Sequence, residues 1–217
     1  MEALLRWRNA PQLCLAMTLA GFAVFGFAIS QLMLGPSEVL GDRLAELTCL
    51  QVAFTPERYS SVFLSFSAAA QAAIRNLLVP GDVVFAWGYG LQLAGLTGLL
   101  ALRLPQPWRR VGAIVMWAPL LASALDCVED VFLYTMAGQL IDNPAATIAP
   151  ALPLLAGIAA TLKYAALALI TPTYGLAGIA VGLSVDRRVT SLLLYAIFGL
   201  LLVSMILRPA QQIPPCF

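Results

Sequence analysis

The 217-residue chain contains no histidine. That absence excludes His-ligated haem and zinc, His-ligated di-iron centres, imidazole acid–base chemistry and any triad built on an imidazole. Charge is also scarce. Only 11% of residues are charged, against about 25% in an ordinary soluble domain. Lysine is nearly missing: eleven of the 12 basic residues are arginine, and Lys163 is the exception. The net charge is +1. There is no basic tract and no interleaving of aromatic with basic residues, so no nucleic-acid partner is expected.

Motifs of common chemistries are missing too. There is no G-x-S-x-G elbow, no phosphate-binding G-x-x-x-x-G-K-[ST] loop and no H-E-x-x-H. The four cysteines, Cys14, Cys49, Cys127 and Cys216, form no C-x-x-C pair, which argues against a quinone-linked thiol oxidoreductase. No internal repeat of the transporter kind is evident. No catalytic residue, metal site or cofactor is assigned.

What the chain has in excess is apolar surface, at 61% hydrophobic residues. A soluble chain of this length has no interior large enough for it. Lipid is the matching solvent, where helices satisfy their own backbone hydrogen bonds. The expected fold is an all-α integral membrane protein, one bundle over 1–217 with about five transmembrane helices. Their ranges are roughly Pro11–Leu34, Val83–Leu102, Val111–Leu140, a stretch within Ile148–Val185, and Ser191–Leu207. Each offers the ~20 apolar residues that cross ~30 Å of hydrocarbon, the last only marginally. The first apolar run, Leu13–Leu34, is too long for a signal-peptide core and reads as an uncleaved span. The stretch Ile148–Val185 is long enough for a helix of roughly 57 Å. It reads first as one helix kinked at Pro172, where Thr171 and Thr173 can satisfy freed backbone groups. A re-entrant segment at Thr173–Val185 is the alternative.

Arginine placement sets an orientation. Arg6, Arg8, Arg103, Arg109, Arg110, Arg187 and Arg188 fall on one side, while the opposite side holds Arg43, Arg58, Arg75 and Arg208. The positive-inside rule then puts the N-terminus in the cytoplasm and the C-terminus outside, with a bacterial inner membrane the expected location. Trp7, Trp108 and Trp117 fall near the inner interface, where aromatic belts form.

Between the first two spans lies a helical segment over 35–80, expected to sit outside the bilayer. Ser37 offers a cap for a short helix over Glu38–Leu50. Thr55-Pro56-Glu57 is a helix start: a cap, a proline in the first turn, and an acid at the positive helix end. Beyond it Tyr59, Val62, Phe63, Phe66, Ala70, Ala73 and Leu77 recur at helical spacing. This stripe reads as a cap packed on the bundle. The alternative is an interfacial or partner-docking surface.

The candidate site is a set of charges. Asp126, Glu129 and Asp130 share one helical face. Counting along the helices from the inner arginines places them near Lys163, Asp82 and Arg75, toward the outer side. Three carboxylates on one face repel each other, and in low dielectric at least one of them should be protonated or paired. An ion-pair network fixing helix order, with Lys163 pairing Asp126 or Glu129, is the bland reading. The functional ones are a proton or cation path, a polar site for a lipid headgroup or small solute, and, least favoured, a reactive lysine amine.

Ala86, Gly90, Ala94 and Gly98 form a small-residue stripe that permits close helix approach, within the bundle or against a partner. Tyr89 and Gln92 add polar groups at mid-depth. Cys49 and Cys216 fall on the same side and are candidates for a disulfide. The leading functional expectation is a non-catalytic accessory, assembly or scaffold subunit, with the bilayer and a membrane protein or second copy as partners. A small carrier or channel using the carboxylate–lysine cluster for ion or proton coupling comes second. A lipid-modifying enzyme comes third.

Overall fold

The computed structural model describes residues 8–212, without the side chains at positions 33, 36, 37, 44, 45 and 204–212. Arg6, Trp7 and Cys216 lie outside the described residues, and so does the expected pairing of Cys49 with Cys216. Among the described residues the chain is all-helical and has no strand. Four helical stretches are long and apolar enough to cross a membrane: Ala10–Leu32, Ala68–Arg103, Gln106–Asp142 and Ala151–Val185. They mark a membrane protein.

Helix α1 (Ala10–Phe27) starts with Pro11 in its first turn and carries no charged residue. It bears Leu15, Leu19, Phe22 and Phe27 on its exposed side, as a lipid-facing helix should. A π-helical turn, Ala28–Met33, leads into α2 (Leu34–Leu40). The expected helix over Glu38–Leu50 is not continuous. Gly41, at φ +53°, breaks it, a 3₁₀ turn covers Gly41–Glu46, and α3 is only Leu47–Gln51. Ser37 falls inside α2 rather than before a helix.

The Thr55-Pro56-Glu57 start is present. Thr55 accepts the Arg58 N–H at the head of α4 (Pro56–Leu64). The apolar stripe that follows does not lie on one helix. The chain breaks at Ser65–Ser67, and Ser67 caps α5 (Ala68–Asn76) by accepting the Ala70 N–H. Splitting the stripe lets both pieces bend over the bundle. Tyr59, Phe63, Phe66, Ala70, Ile74 and Leu78 are buried together with Leu133, Met136, Ala137 and Leu140. The Tyr59 hydroxyl donates to the Leu133 carbonyl at 3.1 Å. Phe54, at φ +58°, lays its ring against Gly157, where a Cβ would stand 2.6 Å from the ring.

A π-helical turn, Leu77–Asp82, with extended backbone at Val79 and a cis Val79–Pro80 bond, redirects the chain into α6 (Val83–Arg103). Helix α1 packs along α6 through glycines. A Cβ at Gly88 would stand 2.7 Å from the Phe25 nitrogen, and one at Gly95 would stand 2.6 Å from the Thr18 nitrogen. Backbone-to-backbone approach of this kind replaces the hydrophobic drive that lipid cannot supply.

The third stretch starts earlier than its sequence pattern suggests. Helix α7 (Gln106–Val115) bends at Met116–Trp117 into α8 (Ala118–Asp142). Pro119 has no N–H to give in the first turn of α8, which accounts for the bend. The fourth is one kinked helix. Helix α9 (Ala151–Tyr164) passes through a π-helical turn, Ala165–Ile170, into α10 (Thr171–Val185). The kink falls before Pro172, and the Thr171 hydroxyl donates back to the Ala166 carbonyl at 2.8 Å. Helix α11 (Val189–Gln212) follows.

At one end of the bundle Arg103 donates to Ser191 Oγ at 2.7 Å and lies 3.5 Å from Asp186, which accepts the Ser191 hydroxyl at 2.8 Å. Those contacts tie the last turn of α6 to the α10–α11 turn. They also bring Arg103, Arg187 and Arg188 to the same end. Asp82 precedes the opposite end of α6, roughly 30 Å away along the helix.

Candidate functional site: a buried carboxylate–lysine cluster

Three elements converge on the cluster. Helix α8 brings Asp126, Glu129 and Asp130 on one face, α9 brings Lys163, and the turn before α6 brings Asp82. Asp126 and Lys163 are 4% exposed, while Glu129 and Asp130 are 0% exposed. The Lys163 ammonium lies 2.5 Å from Asp126 Oδ1 and 2.6 Å from Glu129 Oε2. Lysine pairs with both of the acids expected as alternatives, because i and i+3 positions on α8 present their carboxylates side by side.

Asp126 is the best-satisfied acid. Its Oδ1 takes the lysine and its Oδ2 accepts the Tyr89 hydroxyl at 2.7 Å. Asp130 is the opposite case: among the described residues neither of its carboxylate oxygens has a hydrogen-bond donor, and its neighbour is the Asp82 carboxyl. One oxygen from each of Asp82, Asp126 and Asp130 lies within 4.8 Å of the others, so among the described residues these three could hold a metal ion. Lys163 is buried beside its partners, and desolvated charges of this kind hold only with close opposite charge.

Arg75 does not join the carboxylates. Its guanidinium lies 4.9 Å from the centre of the Tyr134 ring, its Nε has no hydrogen-bond partner among the described residues, and it packs near Gly138. Counting residues put it at the right level of α8. The direction of its side chain, one to two turns beyond Asp130, was not readable from spacing.

The cluster forms part of the wall of a cavity of about 350 Å³. Asp82, Asp126 and Lys163 supply its charged side. Phe25, Phe85, Leu93, Leu167 and Leu201 supply its apolar side. Tyr89, Gln92, Gln51 and Tyr164 are the polar groups between, and the Tyr164 hydroxyl donates to Gln51 at 2.5 Å. The Phe25 and Phe85 rings pack tilted at 33° with centroids 4.8 Å apart, and Phe85 meets Tyr89 edge-on at 5.7 Å. Tyr89 and Gln92 were visible in the sequence as polar groups inside a span. Gln51, Tyr164 and Phe25 carried no such signal, since the lining they join comes from separate elements.

The small-residue stripe lies inside the chain. Ser123 of α8 donates to the Ala86 carbonyl at 2.7 Å, and a Cβ at Gly90 would stand 3.1 Å from Ser123 Cβ. Ala94 is 0% exposed, and a Cβ at Gly98 would stand 2.6 Å from Cys14 Sγ. Two further glycines that face α1, Gly88 and Gly95, lie off the stripe. They show no four-residue period of their own, which is why spacing missed them.

No protein-family model matches the chain, and no curated protein or solved structure matches it.

Proposed function

We propose that this protein is a small multi-pass membrane carrier or channel in which the carboxylate–lysine cluster is the ion- or proton-coupling site. The observation that carries the reading is the cavity itself. A charged wall of Asp82, Asp126 and Lys163 faces an aromatic and aliphatic wall inside a membrane bundle. Polar residues within spans are costly and concentrate on substrate and ion pathways. Such a wall suits a small amphipathic or cationic solute, with its charged end on the acids and its apolar part on Phe25 and Phe85.

In this reading α11 is a fifth span, supported by its 24 residues. The 35–80 segment is a cap on the outer side, supported by the apolar core it shares with the far half of α8. The arginines at the Arg103 end support a cytoplasmic N-terminus in a bacterial inner membrane.

The test is flux through the purified protein in sealed liposomes. With a potassium diffusion potential imposed, internal pH is read with a trapped dye and cation entry with a tracer. Wild type is expected to admit protons or cations, and Glu129→Gln to lose the flux. Ion-tight vesicles holding folded wild-type protein would sink the proposal.

An accessory-subunit role is the second reading, supported by the wide apolar surface of α9 and the π-helical turn that follows it. Leu154, Leu155, Ile158, Leu162, Leu169 and Ile170 are all exposed there. Its readout is a stoichiometric membrane partner retained through mild-detergent purification.

A further inference from the structure

We infer that Asp82, Asp126 and Asp130 together bind one hard divalent cation of the Mg²⁺, Mn²⁺ or Ca²⁺ class, and that this ion is the coupling ion of the carrier. The coupling role rests on the carrier reading; the binding does not.

Charge balance is the first argument. Four carboxylates, Asp82, Asp126, Glu129 and Asp130, meet one ammonium, Lys163. That leaves an excess of three negative charges in a region of low dielectric, where uncompensated charge is strongly disfavoured. Lys163 stands on the Asp126–Glu129 side, and among the described residues no ion pair reaches Asp130. A divalent ion removes two of the three charges, and one shared proton removes the last.

The second argument is Asp130 itself. It is 0% exposed, among the described residues no donor reaches either oxygen except by a proton shared with the Asp82 carboxyl, and one oxygen points to within 4.8 Å of oxygens on Asp82 and Asp126. Buried polar atoms without partners are rare, and an ion is one of the standard explanations. The spacing fits as well. Oxygens each about 2.1–2.4 Å from a shared ion stand no more than about 4.8 Å apart, and all three lie within that limit.

Donor chemistry sets the class of ion. All three ligands are carboxylates, with no imidazole or thiolate among them, which selects hard, oxygen-seeking cations. Asp82 is only half-buried and borders the cavity. The cavity thus offers an entry path and room for waters to complete the coordination shell.

The test uses the full chain in lipid nanodiscs, stripped with a chelator and titrated with Mn²⁺. Bound Mn²⁺ is read from loss of the free-ion paramagnetic resonance signal. Expected are one Mn²⁺ per protein, displacement by Mg²⁺ or Ca²⁺, and an affinity loss of at least about tenfold in Asp130→Asn and in Asp82→Asn. Glu57→Gln, on α4, is expected to bind as wild type. Without metal, Asp130→Asn is expected to melt no lower than wild type, because it relieves repulsion; that keeps a loss of binding distinct from a loss of fold. Wild-type protein that leaves Mn²⁺ free, or Asp130→Asn that binds unchanged, would overturn the inference in favour of shared protons. Mn²⁺ binding by a protein that carries no ions overturns the coupling role and the carrier reading, and leaves the site. Flux without Mn²⁺ binding overturns the site and its coupling role, and leaves the carrier reading.

Discussion

The Lys163 ammonium lies 2.5 Å from Asp126 Oδ1, between residues 37 positions apart in the chain, with both side chains 5% exposed. A pair this buried is costly to break from either side, because each partner leaves the other's charge uncompensated. Lys163→Met is therefore expected to lose about 3–5 kcal/mol of stability, read by thermal unfolding in detergent. Adding Asp126→Asn to it is expected to restore part of the loss. A single variant as stable as wild type would show that the pair does not hold the helices.

Tyr89 gives a finer probe of the same acid. Its hydroxyl is a direct donor to Asp126 Oδ2 at 2.7 Å. Tyr89→Phe keeps the ring against Phe85 and removes only that donor. The expected cost is about 1–3 kcal/mol, and the same change in an Asp126→Asn background is expected to cost less. Equal costs in both backgrounds would place the effect on the ring.

The contact between α1 and α6 has little tolerance for side chains. At Gly88 a Cβ would meet the backbone of Phe25, which cannot move aside as a flexible side chain can. Gly88→Val is expected to destabilise by about 1–3 kcal/mol or more. Gly26 has open space around the same position, so Gly26→Ala is the control, expected to unfold as wild type does. Matching melting curves for the two variants would contradict the packing described.

Asp186, at the Arg103 end, carries a pH dependence of a different kind. The Ser191 hydroxyl, then the Arg188 N–H, hold its carboxyl below the usual carboxylate range. A depressed folded-state value means that the stabilisation is present above the unfolded value of about 4 and is lost as pH falls through the lowered one. Asp186→Asn is expected to be less stable than wild type at neutral pH and to converge with it in acid. A difference that stays constant across that range would rule out ionisation as its source.

Composition and periodicity determined that this chain is helical and belongs in lipid, because apolar runs of the length found in α1 and α6 have no other stable environment. Local rules also placed Thr55 as a cap and Pro172 at a kink, since both effects depend on residues within one turn. The face shared by Asp126, Glu129 and Asp130 follows from 3.6 residues per turn and needs no tertiary information. Only the tertiary structure decided the rest. Whether Lys163 met Asp126 or Glu129, and whether Arg75 met any acid, depended on helix rotation, which packing sets through contacts such as Ser123 on Ala86 and Gly88 on Phe25. The break at Ser65–Ser67 arose because a straight helix would have carried Phe66, Ala70 and Ile74 away from α8. The cavity joins side chains from α1, α3, α6, α8 and α9, and no local pattern encodes a wall assembled from elements so far apart in sequence.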